Sequence, residues 1–164
     1  MKMFLILCIG LIGAAAQAGV DVTCYENDCL QFGWEIYNEN TGQFGTVECL
    51  DQSCENSGFV ERDHFGRVLY QAECLPEGCF KTGWIGYLPN GARILEQRCH
   101  SAGRNSAPDC LQAGWEITDY HFINNAYCVH NDCRKYGWNL YTSRGMLHIQ
   151  CKPQGCFVSG WRHL

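Results

Sequence analysis

The chain has 164 residues, of which 13 are cysteines, and 17 acidic against 12 basic residues give it a net charge of −5 at pH 7. The basic residues are scattered singly, which argues against nucleic acid as a partner and against attraction to an anionic membrane surface. A cysteine density this high is typical of exported proteins that are held together by disulfide bonds.

Residues 1–18 have the pattern of a secretory signal peptide. Lys2 supplies a basic start, an apolar run extends from Phe4 to Ala16, and Ala16-Gln17-Ala18 offers small residues for cleavage. The run is too short to span a bilayer, which takes about 20 residues, and no later stretch approaches that length, so we expect no membrane insertion. We expect a secreted, extracellular protein (periplasmic if bacterial) whose residues 19–164 form a single repeat domain. Cleavage would also remove Cys8 and leave an even number of cysteines.

The rest of the chain repeats one phrase six times: a cysteine, a short loop, a second cysteine, three residues, a glycine and an aromatic residue. The first cysteines are separated by 25, 25, 25, 29 and 23 residues, and a period of this length marks a tandem-repeat architecture. The pairs are Cys24/Cys29, Cys49/Cys54, Cys74/Cys79, Cys99/Cys110, Cys128/Cys133 and Cys151/Cys156.

Turn-forming residues occur twice in each repeat. Leu75-Pro76-Glu77-Gly78 lies between two paired cysteines, and Pro89-Asn90-Gly91 lies midway to the next pair. The other midpoints fall at residues 39, 64, 119 and 142. Because turns recur about every ten residues, helices of ordinary length do not fit between them.

Between the turns, apolar and polar residues alternate as they do in a half-buried strand. On the strands that lead into each first cysteine, the residues predicted to point inward are Val47, Tyr70, Ala72, Leu95, Ala126, Leu147 and Ile149, with Gln97 as a polar exception. On the outgoing strands, Leu30, Phe32, Trp34 and Ile36 are predicted to share one face, as are Leu111, Ala113, Trp115 and Ile117. The predicted fold is all-β: six tandem disulfide-stapled β-hairpins in a long antiparallel meander of about 12 strands, whether open, solenoid-like or barrel-like.

Two disulfide arrangements fit this pattern. Bonds within each pair would close each short loop, whereas bonds such as Cys29–Cys49 would close the longer arms. We favour the first arrangement, because the fourth copy lengthens its inter-cysteine loop, residues 100–109, and keeps both cysteines. Zinc binding is a poor fit for six pairs in an oxidising compartment, and we expect no metal and no cofactor.

The aromatic residue after each glycine is Trp34, Phe59, Trp84, Trp115, Trp138 or Trp161. One interpretation makes it the large apolar residue with which each repeat builds the core. The other makes the five tryptophans an exposed row that binds sugar rings or apolar side chains of a partner. The Gly-Trp phrase on short hairpins resembles the cell-wall-binding repeats of choline-binding proteins, which lack the paired cysteines, and no ligand or residue is carried over from them.

Two departures from the repeat are further candidate binding positions. The polar loop of residues 100–109 contains Arg104, and insertions of this kind often bind partners. The segment from Tyr120 to Asn125 places Phe122 near a predicted hairpin tip. For the loop, the alternative is a tolerated insertion without function; for the segment, no structural need for aromatic and apolar residues at a hairpin tip is evident.

We expect no enzymatic activity. The six histidines occupy unrelated repeat positions, and no Gly-x-Ser-x-Gly motif is present. Our hypothesis is a non-enzymatic binding protein for an extracellular protein or carbohydrate. The alternatives are a structural component of a secreted matrix or coat, which would self-associate, and a small secreted defence factor.

Overall fold

The computed structural model describes residues 19–119 and 121–164, so the predicted signal peptide lies outside the described residues and its boundary stays a prediction. The described residues form twelve strands. They are β1 (Val20–Cys24), β2 (Trp34–Asn38), β3 (Gln43–Cys49), β4 (Phe59–Asp63), β5 (Val68–Cys74), β6 (Gly83–Tyr87), β7 (Arg93–Cys99), β8 (Trp115–Asp119), β9 (Ile123–Cys128), β10 (Trp138–Thr142), β11 (Gly145–Cys151) and β12 (Trp161–His163).

Each strand pairs antiparallel with the strands before and after it in the chain, and β12 pairs with β1. The all-β hairpin meander is therefore confirmed, and of the forms left open the chain adopts the closed barrel. The predicted midpoint turns fall within or next to the connections at one end of the barrel, which we call the turn end. The opposite end carries the cysteine pairs, and we call it the disulfide end.

The six disulfides join the two cysteines of each pair, as the favoured arrangement predicts. The first cysteine ends a strand, and the second lies inside the connection to the next strand. In five repeats the second cysteine begins a single helical turn. These turns are α1 (Cys29–Phe32), α2 (Cys54–Ser57), α3 (Cys110–Ala113), α4 (Cys133–Tyr136) and α5 (Cys156–Ser159).

The helical turns correct one prediction. Leu30 and Phe32 were expected on the outgoing strand but lie in α1, and Leu111 and Ala113 lie likewise in α3. The cause is local: the carboxylate of Asp28 accepts hydrogen bonds from the N–H groups of Leu30 and Gln31 at 3.0 and 3.1 Å, which caps the first turn of a helix. The outgoing strand therefore begins only at the aromatic residue.

The aromatic residues of the six repeats form a ring around the inside of the barrel. In the strand register, Trp34 lies opposite Cys24 on one side and opposite Val47 on the other. The same register recurs in every repeat, so the rings alternate with smaller side chains. Those side chains are Val22, Val47, Ala72, Gln97, Ala126 and Ile149. Five neighbouring pairs of aromatic centroids lie 5.1 to 6.0 Å apart.

The disulfide end of the barrel is covered by apolar side chains. Phe80 and Phe157 each follow the second cysteine of their repeat, both are buried, and their ring centroids lie 5.9 Å apart. On the strands that lead into each first cysteine, the residues predicted to point inward are buried, except that Leu147 is partly buried. The exception Gln97 also points inward, and its Nε2 donates toward Cys110 Sγ at 3.4 Å.

Candidate binding surface

The structure places the five tryptophans of the predicted row in the barrel core. Trp34, Trp84, Trp115, Trp138 and Trp161 are between 0 and 2% exposed, and their rings contact one another or neighbouring core rings. The core interpretation of this repeat position is therefore the one that the structure shows. These five rings form no exposed row that a ligand could reach.

The other two predicted positions are exposed but far apart. Arg104 lies in the loop between β7 and β8 at the disulfide end, and the base of this loop is closed by a bridge between Ser101 and Pro108. Phe122 is 52% exposed in the connection between β8 and β9, at the turn end. The structure does not bring Arg104 and Phe122 together into one site.

A different group of exposed or partly exposed side chains lies on the outer face of three neighbouring strands. β9, β10 and β11 carry no acidic residue, lysine or arginine on this face, which we call the tyrosine face. Its side chains are Ile123, Asn125, Tyr127, Asn139, Tyr141, Met146, His148 and Gln150. Charged side chains flank it, with Glu116 on β8 and Arg162 on β12.

Two tyrosines form the centre of this face. Tyr127 and Tyr141 are 48 and 46% exposed, and their ring centroids lie 5.9 Å apart with the planes inclined by 68°. The ring of His100 stacks on Tyr127 at 5.0 Å with the planes 8° apart. The aromatic rings are thus held in place by one another, without a partner molecule.

Polar side chains lie directly beside the two rings. Asn139 lies opposite Tyr127 in the strand register, and Asn125 lies opposite Tyr141. On the far side of Asn139, His148 Nδ1 lies 2.9 Å from Asn139 Oδ1, at hydrogen-bond distance. Met146 lies opposite Tyr141 on β11 and is largely exposed. The face therefore combines apolar rings with neutral hydrogen-bonding groups.

The two halves of the chain repeat each other, so the tyrosine face in the second half can be compared with the equivalent positions in the first half. Asp28-Cys29-Leu30-Gln31 recurs as Asp109-Cys110-Leu111-Gln112, and Pro76-Glu77-Gly78-Cys79-Phe80 recurs as Pro153-Gln154-Gly155-Cys156-Phe157. Three hairpins in the first half thus correspond to three in the second. The spacing of the cysteine pairs predicts six equal repeats and does not reveal this longer period, which these phrases carry.

In the first half, the positions of Tyr127 and Tyr141 are occupied by Glu48 and Arg62. Each position is defined by the repeat: one residue before the first cysteine, and three residues after the aromatic residue. Arg62 Nε and Glu48 Oε2 form an ion pair at 3.1 Å. The same place in the barrel thus accepts an ion pair, so the fold itself does not require the two tyrosines.

In the described part of the chain, no group of three or more His, Cys, Asp or Glu residues is arranged to hold a metal ion. Within the same residues, no helix is long and apolar enough to cross a membrane. No known protein family, curated protein or solved structure matches the chain. Function must therefore be inferred from the barrel and its surface.

Proposed function

We propose that the protein is a non-enzymatic extracellular binding module whose partner docks on the tyrosine face. The observation that carries this proposal is the exchange of an ion pair, Glu48 with Arg62, for an exposed aromatic pair, Tyr127 with Tyr141, at equivalent places in the two halves. The rest of the scaffold needs neither pair in particular, so the aromatic pair is best explained by what it contacts outside the chain.

The composition of the face supports this proposal. Tyrosine and methionine are enriched at binding interfaces, and charged residues are depleted at interface centres. A tyrosine has only two side-chain torsions to fix, so it contributes a large contact area at low entropic cost. Tyr127 is already stacked on His100, which reduces the cost of ordering it further.

The barrel also supports an extracellular location. All twelve cysteines of the described residues are paired, and such a framework persists in oxidising compartments. A matrix or coat component would self-associate, and unpaired strand edges offer a route for such association in a β-sheet protein. Every described strand has a partner on both sides, so the barrel offers no such edge, and this favours a binding module over the structural alternative.

A pair of matched double variants tests the proposal. Oxidised wild-type protein, the variant Tyr127→Ala/Tyr141→Ala and the variant Glu48→Ala/Arg62→Ala are screened against arrays of extracellular proteins and of glycans. We expect wild type and the Glu48/Arg62 variant to bind the same partner, and the tyrosine variant to bind it at least about tenfold more weakly.

The Glu48/Arg62 variant is the control for folding, because the two pairs occupy equivalent positions in the two halves of the barrel. Thermal melting of both variants would show whether either substitution damages the fold. Equal binding by all three proteins would overturn the proposed docking surface. A failure of wild type to bind any component of either array would overturn the binding function itself.

A further inference from the structure

The chemistry of the tyrosine face also indicates the class of its ligand, and we propose that it binds a neutral polysaccharide chain. This inference rests on the proposed function, because it names the partner that docks on that face.

The two tyrosines supply the apolar contact that a sugar ring needs. A pyranose ring presents C–H groups on its faces, and the face of an aromatic ring carries the negative end of its quadrupole. The rings of Tyr127 and Tyr141 are each about half exposed, and their centroids lie 5.9 Å apart, so neighbouring parts of one sugar chain can contact both rings. The exposed side chain of Met146, opposite Tyr141, extends this contact.

The amides supply hydrogen bonds to hydroxyl groups. Asn139 lies beside Tyr127 and Asn125 lies beside Tyr141, so each ring has a carboxamide as its neighbour. A carboxamide offers both donors and an acceptor, and a sugar hydroxyl likewise donates and accepts. His148, within hydrogen-bond distance of Asn139 Oδ1, orients that amide before a ligand arrives.

Charge restricts the ligand to a neutral one. Uronate or sulfate groups are recognised by arginine and lysine, and the tyrosine face carries neither residue. The net charge of −5 further disfavours a polyanion. A protein partner would also use tyrosine and methionine, but it has no particular need for an amide beside each ring. The experiment must therefore distinguish a protein partner from a neutral polysaccharide.

The experiment uses the full oxidised chain and defined probes. Cellulose, chitin, mannan and β-1,3-glucan are the neutral polysaccharides, and alginate, hyaluronan and heparin are the acidic ones. Binding is measured by co-sedimentation and by titration calorimetry with soluble fragments. We expect binding to at least one neutral polysaccharide, with an affinity that changes by less than about twofold between low and high salt, because no ion pair is involved.

Variants connect this binding to the face. Tyr127→Ala, Tyr141→Ala and Asn139→Ala should each weaken it by at least about fivefold, whereas Glu48→Ala/Arg62→Ala should leave it unchanged. Binding to acidic polysaccharides alone, or neutral binding that the tyrosine variants do not alter, would overturn the inference. If no polysaccharide binds but a protein of the array described above does, and that binding is lost only in the tyrosine variants, the ligand class is wrong while the proposed docking surface stands. If neither a polysaccharide nor a protein of that array binds, both are overturned.

Discussion

At the scale of the residue, the glycine of each repeat is required by the close approach of two strands. Gly33 has φ of +85°, and a Cβ atom there would lie 2.0 Å from the carbonyl oxygen of Val47 on the next strand. The five equivalent glycines are in the same situation, with distances of 1.9 to 2.1 Å: Gly58, Gly83, Gly114, Gly137 and Gly160. This contact explains why glycine always precedes the aromatic residue.

We predict that Gly33→Ala destabilises the barrel by at least about 3 kcal/mol, since it adds a backbone clash to the strain of positive φ. Gly42→Ala is the matched control, because Gly42 has φ of +68° but no atom within 4 Å of the added methyl group. It should cost only about 1 kcal/mol. Denaturant unfolding with the disulfides intact measures both values, and equal losses would show that the carbonyl contact is not what requires glycine.

Residue-level alternation predicted which strand positions point inward, but it did not predict the tyrosine face. Tyr127 and Tyr141 are 14 positions apart, and each alone resembles an ordinary outward residue of a sheet. Only the register of β9 against β10 places them together. For the tryptophans, alternation predicts that they share one face of the sheet, but it does not predict whether that face is buried or exposed. Closure of the barrel makes that face the interior.

At the scale of the element, five of the six disulfide connections contain a helical turn that a strand pattern conceals, and a side chain caps the first four of these turns. An apolar residue at every second position fits a strand, but α1 has only four residues, too few to show a helical period. The informative residues are its ends: Asp28 caps the first N–H groups, and the N–H of Gly33 donates to the carbonyl of Cys29. Local capping therefore prevails over alternation here.

We predict that Asp28→Ala lowers the free energy of unfolding by about 1 kcal/mol, because it leaves the N–H groups of Leu30 and Gln31 without their acceptor. Asp28→Asn should retain most of the stability, since an asparagine oxygen caps nearly as well. Thermal or denaturant unfolding of the oxidised proteins gives both values. If alanine and asparagine were equally well tolerated, the Cys24–Cys29 disulfide rather than the cap would be what holds the turn.

At the scale of the whole molecule, the barrel depends on a closure between its first and last strands. β1 pairs with β12, with Val22 opposite Trp161. On the outer surface, Asp21 forms ion pairs with Lys152 and Arg162, each at 2.5 Å. The N–H of Gly19 donates to the carbonyl of His163 at 3.2 Å. The two ends of the described chain are therefore neighbours, and no strand of the described residues is left with a free edge.

This closure predicts that the order of the hairpins can be permuted. A chain that begins at Asn105, ends at Arg104 and joins Leu164 to Gly19 through about three added residues, a span of roughly 10 Å, should fold to the same barrel. The new ends lie in the exposed loop between β7 and β8, where the Cys99–Cys110 disulfide still holds them together. Exposed loops tolerate such openings, so melting should fall by no more than about 5 °C.

The matched control carries the same added residues but opens between Leu140 and Tyr141, inside β10, where it severs pairing to both β9 and β11. We expect this second permutant to lose cooperative melting and the near-ultraviolet signal of the packed tryptophans. If the loop-opened permutant failed as well, folding would require β1 to form at the start of the chain, and the barrel would not be a ring of six equivalent hairpins. If the loop-opened permutant folds, it retains β9, β10 and β11 intact, so its ligand binding should equal that of the unpermuted chain.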